Sequence, residues 1–169
     1  MAGFTNIKTG MVIHREEPNE KEFIYSGKPL LVETDTDGMV TYVNRRFLEV
    51  SGYTKEEIIG SPHCMHMHPG MPDAIFQDAC RMTSEGKTWS GYIRNISKNG
   101  VTYWTEALIQ PKTDEQGVIV GYMATRREPE AGRLEGVMEE YDILKKSGEK
   151  GRLSQYCGEI YLGRDTCQF

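Results

Sequence analysis

Three of the four histidines fall in one short stretch, SPHCMHMHPGM, where His63, His66 and His68 stand beside Cys64 and among Met65, Met67 and Met71. These are metal-ligand types: neutral imidazole binds iron, zinc or copper, and a thioether adds a soft ligand. The spacing lacks the paired ligands of a structural zinc motif. A haem iron needs less, one proximal histidine with a methionine or an open position opposite, and His68 or His63 can supply it. The plainer alternative makes His63 and His68 structural, each hydrogen-bonded in a Pro-containing loop, with His66 exposed. The only two tryptophans, Trp89 and Trp104, fall on predicted strands expected to face a pocket. An indole there stacks on a flat ring system such as an isoalloxazine or a porphyrin; otherwise both are core aromatics. No nucleophile with a neighbouring base and no paired carboxylates can be identified in these segments, so binding is expected and catalysis is not.

The elements that must position these groups can be read from turn and capping chemistry. Leu30 to Thr36 and Met39 to Asn44 are β-prone runs joined at Asp37-Gly38, a dipeptide that supplies the positive φ of a tight hairpin. Thr54-Lys-Glu-Glu57 has capping-box spacing, so a short helix starts there and Gly60 ends it. Ser61 to Met71 has no period and reads as an irregular loop. Pro72 opens a helix through about Ser84, with Gly86 just past its end. From Trp89 onward, GYIRNIS, the Asn99-Gly100 turn and VTYWTEALIQP predict a longer hairpin, and Val118 to Arg126 a further strand. Two strands, a helical middle and three antiparallel strands make an α+β domain with helices packed on one face of the sheet. Glu130 to Lys146 carries Leu134, Val137, Met138, Tyr141 and Leu144 at helical spacing and predicts an amphipathic exit helix.

The expected organisation is an N-terminal cap over 1–24, a compact core domain over 25–127, an exit helix over 128–147 and a tail over 148–169 without regular structure. The cap is polar around REEPNEKEF and is expected to lie outside the core. A length of 169 residues suits one domain with extensions. A net charge of −5 argues against nucleic acid, because phosphate tracking needs a clustered Lys/Arg excess. No run approaches the roughly 18 apolar residues of a spanning helix, and the first residues lack a signal-peptide layout. A cytoplasmic protein without direct membrane insertion is the expectation. Cys64, Cys80, Cys157 and Cys167 form no CxxC pair, so reduced thiols are expected.

One further signal lies in the order of the segments TDTDGMVTYVNRRFLEVSGYTKEEIIGSPH, HPGMP, TWSGYIRNISKNGVTYWTEALIQP and GVIVGYMATR. Across roughly residues 22–127 they resemble the flavin-binding PAS domain of bacterial aerotaxis and energy-taxis receptors. The resemblance implies a PAS fold, a five-stranded antiparallel sheet with a cofactor pocket between its inner face and the helical middle. It implies FAD as the cofactor, a redox signal, a membrane chemoreceptor or histidine kinase as partner, and a homodimer. Carried over residue by residue, it marks Asn44, His63, His68, Met71, Trp89, Asn95 and Trp104 as cofactor neighbours. An asparagine amide offers donor and acceptor together, matching the N–H and C=O edge of a flavin; for Asn44 a turn or helix cap is the competing role. The loop of this group reads close to PHNxxRHPDMP, whereas here Cys64, Met67 and Gly70 stand at the Asn, Arg and Asp, and Cys80 stands at a Trp of the next helix. His68 alone is kept among those groups. The alternatives are therefore haem b on His68 or His63, and a cofactor-free module that serves only to dimerise. Photosensory PAS domains with a flavin-reactive cysteine carry GxNCRFLQ, which the residues around Cys64 do not match.

Overall fold

The structure, a computed structural model, describes residues 1–146 of the 169. Expectations for residues 147–169 therefore lie outside the described residues, Cys157 and Cys167 among them. The chain opens with an antiparallel hairpin, β1 (Ala2–Thr5) and β2 (Val12–Arg15), in which Phe4 stands opposite Ile13. Both side chains are buried in one cluster with Tyr25, Phe47, Met65 and Tyr103. The N-terminal segment thus contributes core, against the expectation of an outlying cap. Four-residue strands are too short for alternation to register in a sequence window. Asn6 ties the hairpin down: its Nδ2 donates to the carbonyls of Glu56, Glu57 and Ile59, and its Oδ1 accepts from the backbone N–H of Lys8 and Thr9.

Next come β3 (Glu22–Ile24), β4 (Leu30–Asp35) and β5 (Val40–Val43). The turn between the last two rests on Gly38, at φ 79°, and on Asp35 Oδ1 accepting from the N–H groups of Asp37 and Met39. Helix α1 (Arg45–Ser51) is capped by Asn44, whose side chain accepts from the Phe47 N–H. Helix α2 (Lys55–Ile58) has the full reciprocal capping box between Thr54 and Glu57. A single 3-10 turn (His63–His66) leads into α3 (Asp73–Ser84), preceded by Pro72. The long hairpin follows as β6 (Trp89–Ile96) and β7 (Thr102–Thr113), then β8 (Ile119–Arg127) and α4 (Leu134–Lys146).

The α+β architecture stands, with one addition to the sheet. Six strands, not five, are joined: β7 pairs antiparallel with β6 and β8, β8 with β4, and β4 with β5, while β3 runs parallel to the start of β7. Three exposed residues, Glu22 to Ile24, make too short a run to announce that strand. Because side chains alternate along a strand, the register fixes two faces. Trp89, Gly91, Ile93 and Asn95 stand opposite Ile109, Ala107, Thr105 and Tyr103 on the inner face. Tyr92 and Arg94 stand opposite Glu106 and Trp104 on the outer face. The inner face is covered by α3; α4 lies on the outer one, with Tyr141 against Trp104. No helix among the described residues is long and apolar enough to cross a membrane.

Candidate functional site

Between the inner face and α3 the structure leaves a cavity of about 80 Å3. That is room for roughly six waters at about 10–15 Å3 each on the same measure. Its walls are apolar, from Val32, Ile109 and Ala124 on the sheet, Phe76 and Ala79 on α3, and Met67 on the loop. Hydroxyls of Thr34, Thr83, Ser84 and Tyr122 also line it, with His63 and Arg126. His63 is half-buried and cannot carry charge at neutral pH: desolvation of its ring, reinforced by the Arg126 charge, pushes its pKa down to about 3.

The other sequence-marked residues surround this cavity or lie away from it. His68 is buried and folds back on its own loop, Nδ1 accepting from the Gly70 N–H at 2.8 Å. Burial, with Arg94 nearby, pushes its pKa down to about 4. The Met71 Sδ accepts from the Arg94 N–H at 3.4 Å, and the His68 N–H donates to the Arg94 carbonyl at 3.0 Å, so the loop is laced to β6. Trp89 lies on the inner face, but its indole covers Gly91 and donates to Asp78 Oδ2 at 3.2 Å, outside the cavity lining. Asn95 is fully buried near the other end of β6; its Nδ2 lies 3.0 to 3.1 Å from the Ile93 and Tyr103 carbonyls and Thr105 Oγ1. Its Oδ1 has no hydrogen-bond partner among the described residues.

Two positions depart from expectation in kind. Trp104 does not face the cavity: it points from the outer face, where its Nε1 donates to Glu22 Oε1 at 2.7 Å. Its register partner Arg94 has the opposite parity from Trp89, and without the register the two indoles look equivalent in sequence. Asn44 is spent structurally, donating to the Pro29 carbonyl and accepting from the Leu31 and Phe47 N–H groups. His66, expected to be exposed, is fully buried edge-to-face with Phe47, ring centroids 5.1 Å apart, and neither ring nitrogen has a hydrogen-bond partner among the described residues. Cys64 and Cys80 are each held in a disulfide bond, against the expectation of reduced thiols. Sequence spacing does not reveal which cysteines a fold brings together. Among the described residues no three His, Cys, Asp or Glu side chains gather as a metal site. Sequence does not mark Thr34, Phe76, Ala124 or Arg126; strand parity around β8 is the signal that could find Thr34, Ala124 and Arg126, and the buried face of α3 the one for Phe76.

The profile of the PAS fold matches residues 40–126, which takes in the histidine loop, α3, β5 to β7 and most of β8, and every cavity-lining residue but those on β4 and at Gly38. This chain belongs to the PAS-fold family. Among curated relatives, the aerotaxis receptor of Escherichia coli K12 is 43% identical over 97 residues, 57% of this chain and 19% of that protein. The biofilm dispersion protein BdlA of Pseudomonas aeruginosa is 31% identical over 108 residues, 63% of this chain and 26% of that protein. Both relatives are thus several times longer than the part this PAS chain matches. The light-state structure of the blue-light photoreceptor Aureochrome1 LOV superposes with a TM-score of 0.59 at 22% identity, covering 67% of this chain and 91% of that one. That likeness speaks for the fold.

For a flavin, the cavity fits in chemistry and is tight in size. Apolar walls with a cation and hydroxyls suit a flat aromatic ring with one polar edge. At about 80 Å3 the space is smaller than a three-ring isoalloxazine, so flavin entry requires side chains of the lining to move aside.

Proposed function

We propose that this PAS domain is a cytoplasmic energy sensor of the aerotaxis type that holds FAD in the cavity beneath α3. It works as a homodimer without catalysing a reaction, and reports to a membrane chemoreceptor or histidine kinase through α4. The observation that carries this reading is the cavity itself, between the sheet and α3, in a chain 43% identical to the aerotaxis receptor over 97 residues. Arg126, His63 and Thr34 are the polar groups that would hold the ring edge, against Val32, Ile109 and Ala124. Bound flavin supplies reversible uptake of electrons and protons. A sensor needs a second property: two conformers must stabilise the two ligand states unequally, or no signal leaves the site. The lacing of the His68 to Met71 loop onto β6, and of β6 onto α4, supports a route for that difference.

Haem b is the second reading, on one observation: His63 alone among the loop histidines lines the cavity, and it is held neutral, the form that binds iron. An absorption spectrum of the purified full chain separates the readings. Flavin bands support FAD, and a Soret band that vanishes in His63→Ala supports haem. A colourless preparation that fails to take up FAD or haem on reconstitution leaves the cofactor-free dimerisation module.

A further inference from the structure

Arg15, the last residue of β2, turns inward and is 4% exposed. Burying a guanidinium is costly unless it finds partners, and here two offset the cost. The Phe4 ring lies against it, with the centroid 5.2 Å from Cζ, and its Nη1 donates to the Met65 carbonyl at 2.9 Å. Its Nε has no hydrogen-bond partner among the described residues. Met65 is itself fully buried, in the 3-10 turn His63–His66. The N–H that would continue the turn onto its carbonyl, that of His68, donates to the Arg94 carbonyl instead. Arg15 therefore satisfies a buried carbonyl that the turn leaves open.

The backbone behind Arg15 is well supported. Arg15 stands opposite Ala2 in the hairpin, and the next N–H, of Glu16, donates to the Lys98 carbonyl at 2.9 Å. His63 lies in the same turn as Met65, its N–H on the Gly38 carbonyl at 3.0 Å and its ring in the cavity wall. Beyond the turn, Met67 bridges to Asn95 and the His68 N–H reaches Arg94, both on β6. So short a turn moves as one piece. Without Arg15 the buried Met65 carbonyl must find water or another donor, and the turn has to shift to reach one. We propose that Arg15 is a positioning residue of the cavity: by holding the Met65 carbonyl it fixes the turn that presents His63 to the guest. This rests on the reading of the cavity as the sensor's ligand site, and it makes the N-terminal hairpin part of that site's construction.

Diethylpyrocarbonate modifies neutral imidazoles, and mass spectrometry of the full chain reads the rate at each histidine. The quantity to follow is the rate at His63, half-buried in the cavity wall, relative to His68, buried on its Arg94 tie. Arg15→Met keeps the apolar contact and removes every donor, and should raise that ratio roughly tenfold. Arg15→Lys, which keeps the charge and a donor, should lie between. Ile13→Val is the control: it loosens the hairpin by one buried methyl group and should leave the ratio unchanged. FAD, titrated separately, should bind Arg15→Met at least about fivefold more weakly than wild type. A wild-type ratio in Arg15→Met, or an equal rise in Ile13→Val, overturns the proposal, as does an FAD affinity that Arg15→Met leaves unchanged. If Arg15→Met does not fold by circular dichroism, Arg15→Lys decides: a raised ratio supports the proposal and a wild-type ratio overturns it. Wild-type protein that takes up neither FAD nor haem removes the ligand reading, and the His63 ratio then decides the positioning by itself.

Discussion

The Tyr141 hydroxyl on α4 donates to the backbone carbonyl of Tyr92 on β6 at 2.7 Å. The Tyr141 ring meanwhile packs 5.9 Å from the Trp104 ring, centroid to centroid, so one side chain seats the exit helix on the outer face. Two residues further along β6, Arg94 binds the cavity loop through its own backbone. A shift of that loop therefore pulls on the strand that carries the helix. Tyr141→Phe keeps the packing and deletes the bond, at about 1 kcal/mol. Amide hydrogen exchange across Leu134 to Lys146 should quicken while the sheet keeps its protection. Unchanged exchange would mean that α4 is held by its apolar contacts alone.

Glu22 is the other outer-face tie, accepting from Trp104 Nε1 at 2.7 Å and from Arg94 Nε at 3.0 Å. Glu22 and Arg94 are both about a third exposed, so the ion pair is worth at most about 1 kcal/mol, and the indole bond adds a similar amount. In a Trp89→Phe background, which leaves Trp104 as the only indole, Glu22→Ala should lower stability by roughly 1 to 2 kcal/mol. Trp104 emission should shift to the red as solvent reaches the ring. An unshifted spectrum would show that Tyr141 and Arg94 shield the indole without β3.

Where the sequence carried local chemistry, the fold was legible. The Thr54 and Glu57 capping box, the Gly38 turn and the Pro72 helix start depend on neighbouring residues alone and appear as expected. Strand parity depends on pairing between distant segments, and nothing local to Trp104 tells that its indole faces away from the cavity. The histidine loop is opaque for a related reason. Without a period, Ser61 to Met71 gives no sign that His66 turns inward against Phe47 while His63 reaches the cavity. Asn44 was readable either way, and capping geometry decided for the structural role.

Burial of three imidazoles makes stability depend on pH. Desolvation lowers the pKa of His63 to about 3 and of His68 to about 4, and holds that of His66 well below its ordinary value. The unfolded chain takes up these protons near pH 6.5 and the native state does not. Stability is thus fully present above about pH 6.5 and is lost as pH falls toward 4 and 3, by up to about 1.4 kcal/mol per unit for each histidine. Urea unfolding at pH 7 and pH 5 should show this loss. His66→Leu, which replaces two unsatisfied buried nitrogens with a side chain of similar size, should recover up to about 2 kcal/mol of it at pH 5. The same loss in the variant would assign the pH dependence to other groups.

Gly70 stands where aerotaxis-type loops carry an aspartate, and the structure gives this departure a consequence. A Cβ at Gly70 would come within 2.9 Å of the His68 ring atoms Cε1 and Nδ1. The ring can fold back to accept the Gly70 N–H only because no side chain is there. Gly70→Asp should therefore push the imidazole off its seat toward solvent and relieve the burial that holds its pKa near 4. In an NMR titration the His68 pKa should climb by at least about one unit toward its ordinary 6.5. Carboxylate attraction alone would also raise it, so Gly70→Ala is the control: a methyl group adds the clash without the charge and should give most of the rise. Flavin retention, read from the visible absorption of the purified variants, then tests whether the seat of His68 matters to the cavity. A His68 pKa that stays near 4 in both variants would show that the loop backbone yields instead of the ring.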